Sequence, residues 1–216
     1  MDIKKVSWFP FSEEPLLLSA RFALYMSNPY VILPNDSLDN KWHLFSNSVL
    51  GIHHFISDSG ISWQHIDLLV LGGRDPFVYY ENGWYYLIYA RSTNLNLFKF
   101  KETEKANKLR TCIEVIYSRD LILWSKPVVL LDFKDIPYAS VLNPKPFISN
   151  PQLINEDGYY RLYFGASYLK MPDTKVKFSR FIGSAVSEKI RNRFKLENSD
   201  PLLEPEPDSK YLNLAL

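Results

Sequence analysis

The chain has 216 residues and reads as all-β, built of four-stranded antiparallel sheets. Three observations predict this. One unit, a polar residue and Pro followed by an extended run, a turn and an aromatic-rich run, occurs three times. Two of its turns carry strong hairpin chemistry. No segment shows a convincing 3.6-residue apolar period.

The copies are "SNPYVILPNDSLDNKWHLFSNS" from Ser27, "RDPFVYYENGWYYLIYARS" from Arg74 and "SNPQLINEDGYYRLYFGAS" from Ser149. The later two turn at Glu81-Asn82-Gly83 and Glu156-Asp157-Gly158. Asn-Gly and Asp-Gly close tight hairpins because these residues tolerate positive φ. The first copy carries a longer turn, Pro34 to Asn40. A third strand follows in each unit: "GIHHFISDSGISW", "TCIEVIYSRDLILW" and "FIGSAVSEKIRNRF". Each runs into a Ser, with an aromatic residue beyond it at Trp63, Trp124 or Phe194. The Ser turns (Ser57–Trp63, Ser118-Arg119-Asp120, Ser187-Glu188-Lys189) resemble the Asp-box hairpin of sialidases and are assigned to structure, with Trp63 and Trp124 packing between sheets. Fourth strands are expected at "IDLLVL", "KPVVLL" and "DPLL". Insertions at 94–110 and 132–147 account for the uneven spacing.

Repeats of four short antiparallel strands are the pattern of a β-propeller blade. The chain is therefore expected to form one propeller-type domain over 1–216, with units at about 20–71, 72–143 and 144–203. Residues 204–216 begin a further unit or form a tail. That is three to three and a half blades. Three explanations stay open: truncation, completion by a second chain, or a partial propeller with capped edges. The N-terminal "SWFPFSEEPLLL" is a candidate donated outer strand. An incomplete or split propeller is the favoured reading, with association as its hypothesis, either as a homo-oligomer or with a completing chain, because an open sheet edge invites pairing.

Composition narrows the function classes. Apolar residues make up 46%, charged residues 23% and aromatics 15%, and net charge is +1. No basic stripe supports a nucleic-acid partner. No apolar run reaches the ~20 residues that span a bilayer, so no membrane partner is expected. "MDIKKVSWFPFSEEP" lacks a signal-peptide core, and Cys112 is the single cysteine, so the reading is a soluble, cytoplasmic protein. Cys112 is expected to be a buried, inert thiol. His53 and His54 are adjacent in a strand, point to opposite faces and cannot jointly hold a metal. No metal-ligand spacing, phosphate-binding glycine loop or nucleophile elbow is present, and no metal or cofactor is expected.

The residues Arg74-Asp75-Pro76 with "GWYYLIYA", then "YSRDLILW" and "NPQLINEDGYYRLYFGAS", resemble the five-bladed propeller of glycoside hydrolase families 43 and 32, the arabinanase, invertase and levansucrase group. The likeness covers about Ser27 to Leu203. It implies that residues just before each first strand converge on one central funnel. Asp75 is then the candidate catalytic residue, and Arg74, Asn28, Ser149 and Asn150 the candidate substrate-binding residues. In the resembled family three acids occupy such positions: a base or nucleophile, a transition-state stabiliser and a general acid. Here the stabiliser's Asp is kept as Asp75, but Asn28 stands at the first position and Ser149 at the third. An amide cannot take a proton from water, and a serine hydroxyl is no general acid near neutral pH. Both still hydrogen-bond sugar hydroxyls.

The resulting expectation is a glycoside hydrolase-like protein that acts on or binds a carbohydrate around Asp75, as a glycosidase if active. The alternatives are a non-catalytic sugar-binding or scaffolding relative in polysaccharide metabolism, and a phosphorylase like those of family 130. In the last, Arg74, Arg91 or Lys145 would clamp phosphate, although Phe77 stands where those enzymes carry an arginine. Plainer readings stand beside these. Arg74 and Asp75 also fit an ion pair holding a blade corner, and Asn28 and Asn150 fit Asx turns before Pro.

Overall fold

The structure, a computed structural model, describes residues 25–92, 111–141, 146–170 and 177–204. The N-terminal strand candidate, the 94–110 insertion, Lys145 and the tail from 205 lie outside the described residues. Twelve strands are assigned: β1 (Ser27–Ile32), β2 (Trp42–Asn47), β3 (Gly51–Ser57), β4 (Gln64–Leu71), β5 (Gly73–Glu81), β6 (Trp84–Ser92), β7 (Thr111–Ser118), β8 (Val128–Asp132), β9 (Ile148–Glu156), β10 (Tyr159–Lys170), β11 (Lys177–Ser187) and β12 (Lys195–Leu196). They pair in chain order as three antiparallel sheets, β1–β4, β5–β8 and β9–β12. Each sheet is a propeller blade.

The hairpin turns follow their sequence chemistry. Asn82 and Asp157 have φ of 52° and 51°, followed by Gly83 and Gly158 at 77° and 88°. All four lie in the left-handed region that such turns require. The Ser turns are structural, as expected. Ser57 Oγ accepts from the Ser59 and Gly60 amides, and Asp120 Oδ1 accepts from the Ile122 and Leu123 amides. The fourth strand of the third blade differs from expectation. It is Lys195–Leu196, paired with Val186 and Ala185. "DPLL" contributes only a bridge from Leu203 to Ile182. β11 is long enough for both to lie along one edge, so the chain pairs, leaves after Leu196 and returns.

The middle blade shows why its second strand is so apolar. In "WYYLIYA" successive side chains point to opposite faces. Tyr85, Leu87 and Tyr89 join the core shared with Ile32, Phe45 and Ile52 of the first blade. Tyr86 and Ile88 join the core shared with Leu153, Leu162 and Phe164 of the third. A sheet packed on both faces needs apolar residues at both parities. Burying each such side chain stabilises by about 1.5–3 kcal/mol. Trp124 packs edge-on against Phe45 across the first interface. Cys112 is buried, and burial with the nearby Glu114 raises its thiol pKa to about 12. Among the described residues no helix is long and apolar enough to cross a membrane.

Candidate functional site

The Asx-Pro step at the head of each blade is a local solution to one backbone problem. Asn28, Asp75 and Asn150 all have positive φ, 51°, 55° and 48°. Asn and Asp enter this region more readily than other side-chain-bearing residues. The following prolines have no N–H to give to a ladder. Pairing therefore skips there. The register jumps between Ser27 and Tyr30 in β1, and between Arg74 and Phe77 in β5. In β9, Ser149 pairs with Gly165 and Gln152 with Tyr163, the same extra residue. A bulge of this kind re-aims one side chain away from the sheet's alternation. Conformations of this sort cost of order 1–3 kcal/mol each and persist where surrounding contacts hold them.

The three bulges aim at one place. β5 lies between β1 and β9 and packs against both. The Asn28 side-chain amide donates to Asp75 Oδ1. The Asn150 backbone N–H donates to Asp75 Oδ2 at 3.2 Å. One carboxylate thus links the heads of three blades. The Asp75 side chain is 11% exposed, so it is nearly enclosed yet reachable from solvent, and Asn28 beside it is exposed.

Arg74 and Ser149 lie differently. The Arg74 Nη2 donates to the Ile148 carbonyl at 3.0 Å. Its guanidinium rests 4.6 Å from the Phe147 ring centroid. Nε is buried without a hydrogen-bond partner and lies 3.9 Å from Asp75 Oδ2. Burial lowers the arginine pKa and the Asp75 charge opposes that; an arginine keeps its proton regardless. Arg74 thus braces the second blade against the third while placing positive charge behind Asp75. Ser149 is buried, and its hydroxyl pairs with Ser179 Oγ at 2.9 Å. Its hydroxyl faces Ser179 and not Asp75. Arg91, the other described candidate for a phosphate clamp, is committed to Glu114 Oε2 at 3.0 Å.

Asn47 is the residue that the sequence did not single out. It ends β2, is 5% exposed, and its Oδ1 accepts from the Asp75 backbone N–H at 3.0 Å. Its Nδ2 donates to Ser27 Oγ at 3.0 Å. "FSNSV" carries no motif; only the pairing of Asn47 with Ser27 reveals its position.

The chemistry of this arrangement is hydrogen bonding around a single anion. Of the three residues heading the blades only Asp75 has a carboxyl group, and both its oxygens already accept donors. Glycoside hydrolysis by paired acids needs a second carboxyl group across the scissile bond, roughly 5–10 Å away. No contact joins a second carboxylate to this cluster among the described residues. No group of three or more His, Cys, Asp or Glu side chains there is arranged to hold a metal ion.

No protein-family model matches the chain, and no curated protein matches it. Solved structures do. An α-L-arabinofuranosidase from Lactobacillus brevis superposes with a TM-score of 0.59 at 12% identity, over 87% of this chain and 58% of that one. Zg3597, a family 117 glycoside hydrolase produced by the marine bacterium Zobellia galactanivorans, gives 0.52 at 16% identity, over 83% and 57%. A GH43_12 retrieved from capybara gut metagenome gives 0.52 at 13% identity, over 84% and 32%. The chain spans from 32% to 58% of the length of these structures. At such identities the likeness is one of fold. The protein is built on the β-propeller fold of the family 43 and family 117 glycoside hydrolases, with three blades among its described residues.

Proposed function

We propose that the protein recognises a carbohydrate at the pocket around Asp75, and that it binds rather than hydrolyses. The observation that carries this reading is the convergence of three bulged blade heads on one carboxylate. A carboxylate flanked by amides offers acceptors and donors of the kind that pair with sugar hydroxyls. Few polar groups of fixed orientation are what a sugar site needs. Asn28 and Asn150 complete the set of ligand-facing groups, and Arg74 holds the charge balance. The fold supports the substrate class, since its solved relatives include an arabinofuranosidase and a family 117 glycoside hydrolase. Binding is favoured over hydrolysis by the amide at position 28 and the serine at 149, which replace two of the acids that hydrolysis would use.

A glycan array followed by calorimetric titration of the best hits tests this. Wild type is expected to bind at least one neutral oligosaccharide. Asp75→Ala should lose ten-fold or more in affinity, since hydrogen bonds to a charged group contribute about 1.5–3 kcal/mol. Turnover of aryl glycosides, with or without phosphate, should be absent. Hydrolysis that disappears in Asp75→Asn would overturn the non-catalytic reading and restore the glycosidase. Phosphate-dependent turnover would favour the phosphorylase. Affinity unchanged in Asp75→Ala would place the ligand elsewhere.

A further inference from the structure

We infer that Asn47 is the positioning residue of this pocket: it holds the Asp75 backbone in its left-handed turn and so aims the carboxylate. The inference rests on the reading of Asp75 as the pocket's anchoring group, and its geometry stands on three observations.

The first is the bond itself. Asp75 follows the irregular head of β5, where the ladder is interrupted, so its N–H has no strand partner. Asn47 Oδ1 supplies the acceptor at 3.0 Å. The second is how Asn47 is oriented. The Asp75 N–H can only donate, so the oxygen end of the amide faces it, and the Nδ2 end is anchored on Ser27 Oγ. Ser27 is itself tied down, since its carbonyl accepts from Ser46 Oγ at 2.8 Å. Asn47 is nearly fully buried, so it acts through Asp75 and touches no ligand.

The third is a comparison between blades. The residue before each bulged Asx is Ser27, Arg74 or Ser149, and their strand partners are Asn47, Ala90 and Gly165. Only the first blade carries a polar side chain at this position. Ala90 cannot reach the next blade, and Gly165 has no room for a side chain, because a Cβ there would lie 2.2 Å from Ser179 Oγ. Yet the N–H of Asn150 is also accepted from the preceding blade, by Asp75 Oδ2. Asn47 does for Asp75 what Asp75 does for Asn150. The couplings run from Ser27 through Asn47 and Asp75 to Asn150, and among the three strand partners Asn47 alone supplies such a link from its side chain. An aspartate at 47 would keep the acceptor and lose the donor, whereas alanine would lose both.

Amide hydrogen exchange of the full chain, followed by NMR, tests this. In Asn47→Ala the Asp75 amide should exchange roughly five- to ten-fold faster, the loss of one ordinary hydrogen bond. The amides of Leu87 and Leu162, in the interiors of β6 and β10, should be unchanged. Asn47→Asp should restore most of the protection. Should Asn47→Ala not fold, Ser27→Ala removes only the orienting contact and is expected to give a smaller loss at the same amide. Unchanged Asp75 exchange in Asn47→Ala, or in Ser27→Ala where that variant stands in for it, would overturn the inference, as would an Asn47→Asp variant no better protected than alanine. A sugar titration separates this from the proposed function. If Asn47 positions the site, Asn47→Ala weakens the affinity for the array-selected oligosaccharide about as much as Asp75→Ala. If wild type binds no sugar at all, the functional reading fails while the exchange result still decides the role of Asn47.

Discussion

Acid should loosen the first blade through His54, and the size of the effect follows from its surroundings. His54 is 1% exposed. It stacks on Phe45 with ring centroids 4.7 Å apart, and its Nε2 lies 2.9 Å from His43 Nδ1. His43 Nε2 in turn meets Asp39 Oδ1 at 2.9 Å. That carboxylate accepts a hydrogen bond from the His43 Nε2–H, which leaves His43 Nδ1 facing His54 Nε2. Burial first, and the neighbouring His43 second, lower the His54 pKa to about 3 from 6.5. The folded value lies below the unfolded one. Below about pH 6.5 the unfolded chain therefore takes up a proton that the native state refuses, and stability falls as pH falls. From these two values the loss at pH 5 is about 2 kcal/mol relative to pH 8. His53, whose pKa burial also lowers, adds in the same direction. Urea unfolding at pH 5, 6 and 8 measures it. His54→Gln keeps a donor toward His43 and removes the titration, so its stability should change by about 2 kcal/mol less than wild type over this range. Asp120 and Glu197, held below the usual carboxylate range by hydrogen bonds, lose their contribution only at lower pH and are common to both proteins. Equal pH slopes for wild type and His54→Gln would refute the reasoning.

Two other outcomes follow from packing. A Cβ on Gly183 would lie 2.1 Å from the Tyr138 hydroxyl and 2.6 Å from Phe164 Cζ. Gly183→Ala should therefore lower stability by about 1–3 kcal/mol through overpacking between the second and third blades, read as a lower denaturation midpoint. Cys112, buried and with its thiol pKa raised, should resist iodoacetamide at pH 8 until denaturant unfolds the chain; prompt labelling of the native protein would contradict its placement in the core.

The blades were legible because the features that build them are local. Asn82-Gly83 and Asp157-Gly158 mark hairpins by themselves, and the Ser turns at Ser57 and Ser118 cap their own backbone. The alternation of Tyr85 to Tyr89 even states that the middle blade is packed on both faces. The repeated Asx-Pro gave the positions of Asn28, Asp75 and Asn150, since each copy solves the same bulge. Long-range pairing was less legible. Leu202-Leu203 looked like a fourth strand because apolarity does not say which edge a segment reaches, and β11 took Lys195–Leu196 instead. Asn47 was invisible because its role depends on a residue 28 positions away. Ser149 and Arg74 share the neighbourhood of Asp75 in sequence terms, but one is turned toward Ser179 and the other toward Ile148, which rotamer and burial decide and sequence does not.

The most direct test of the central claim is a sugar titration of isotopically labelled protein, using the oligosaccharide selected on the array and following the Asn28 side-chain amide together with the backbone amides of Asp75 and Asn150. The account predicts that these three signals move together and saturate at one affinity, and that none of them moves in Asp75→Ala. Binding that leaves all three in place while shifting residues on an outer face of the blades would contradict it.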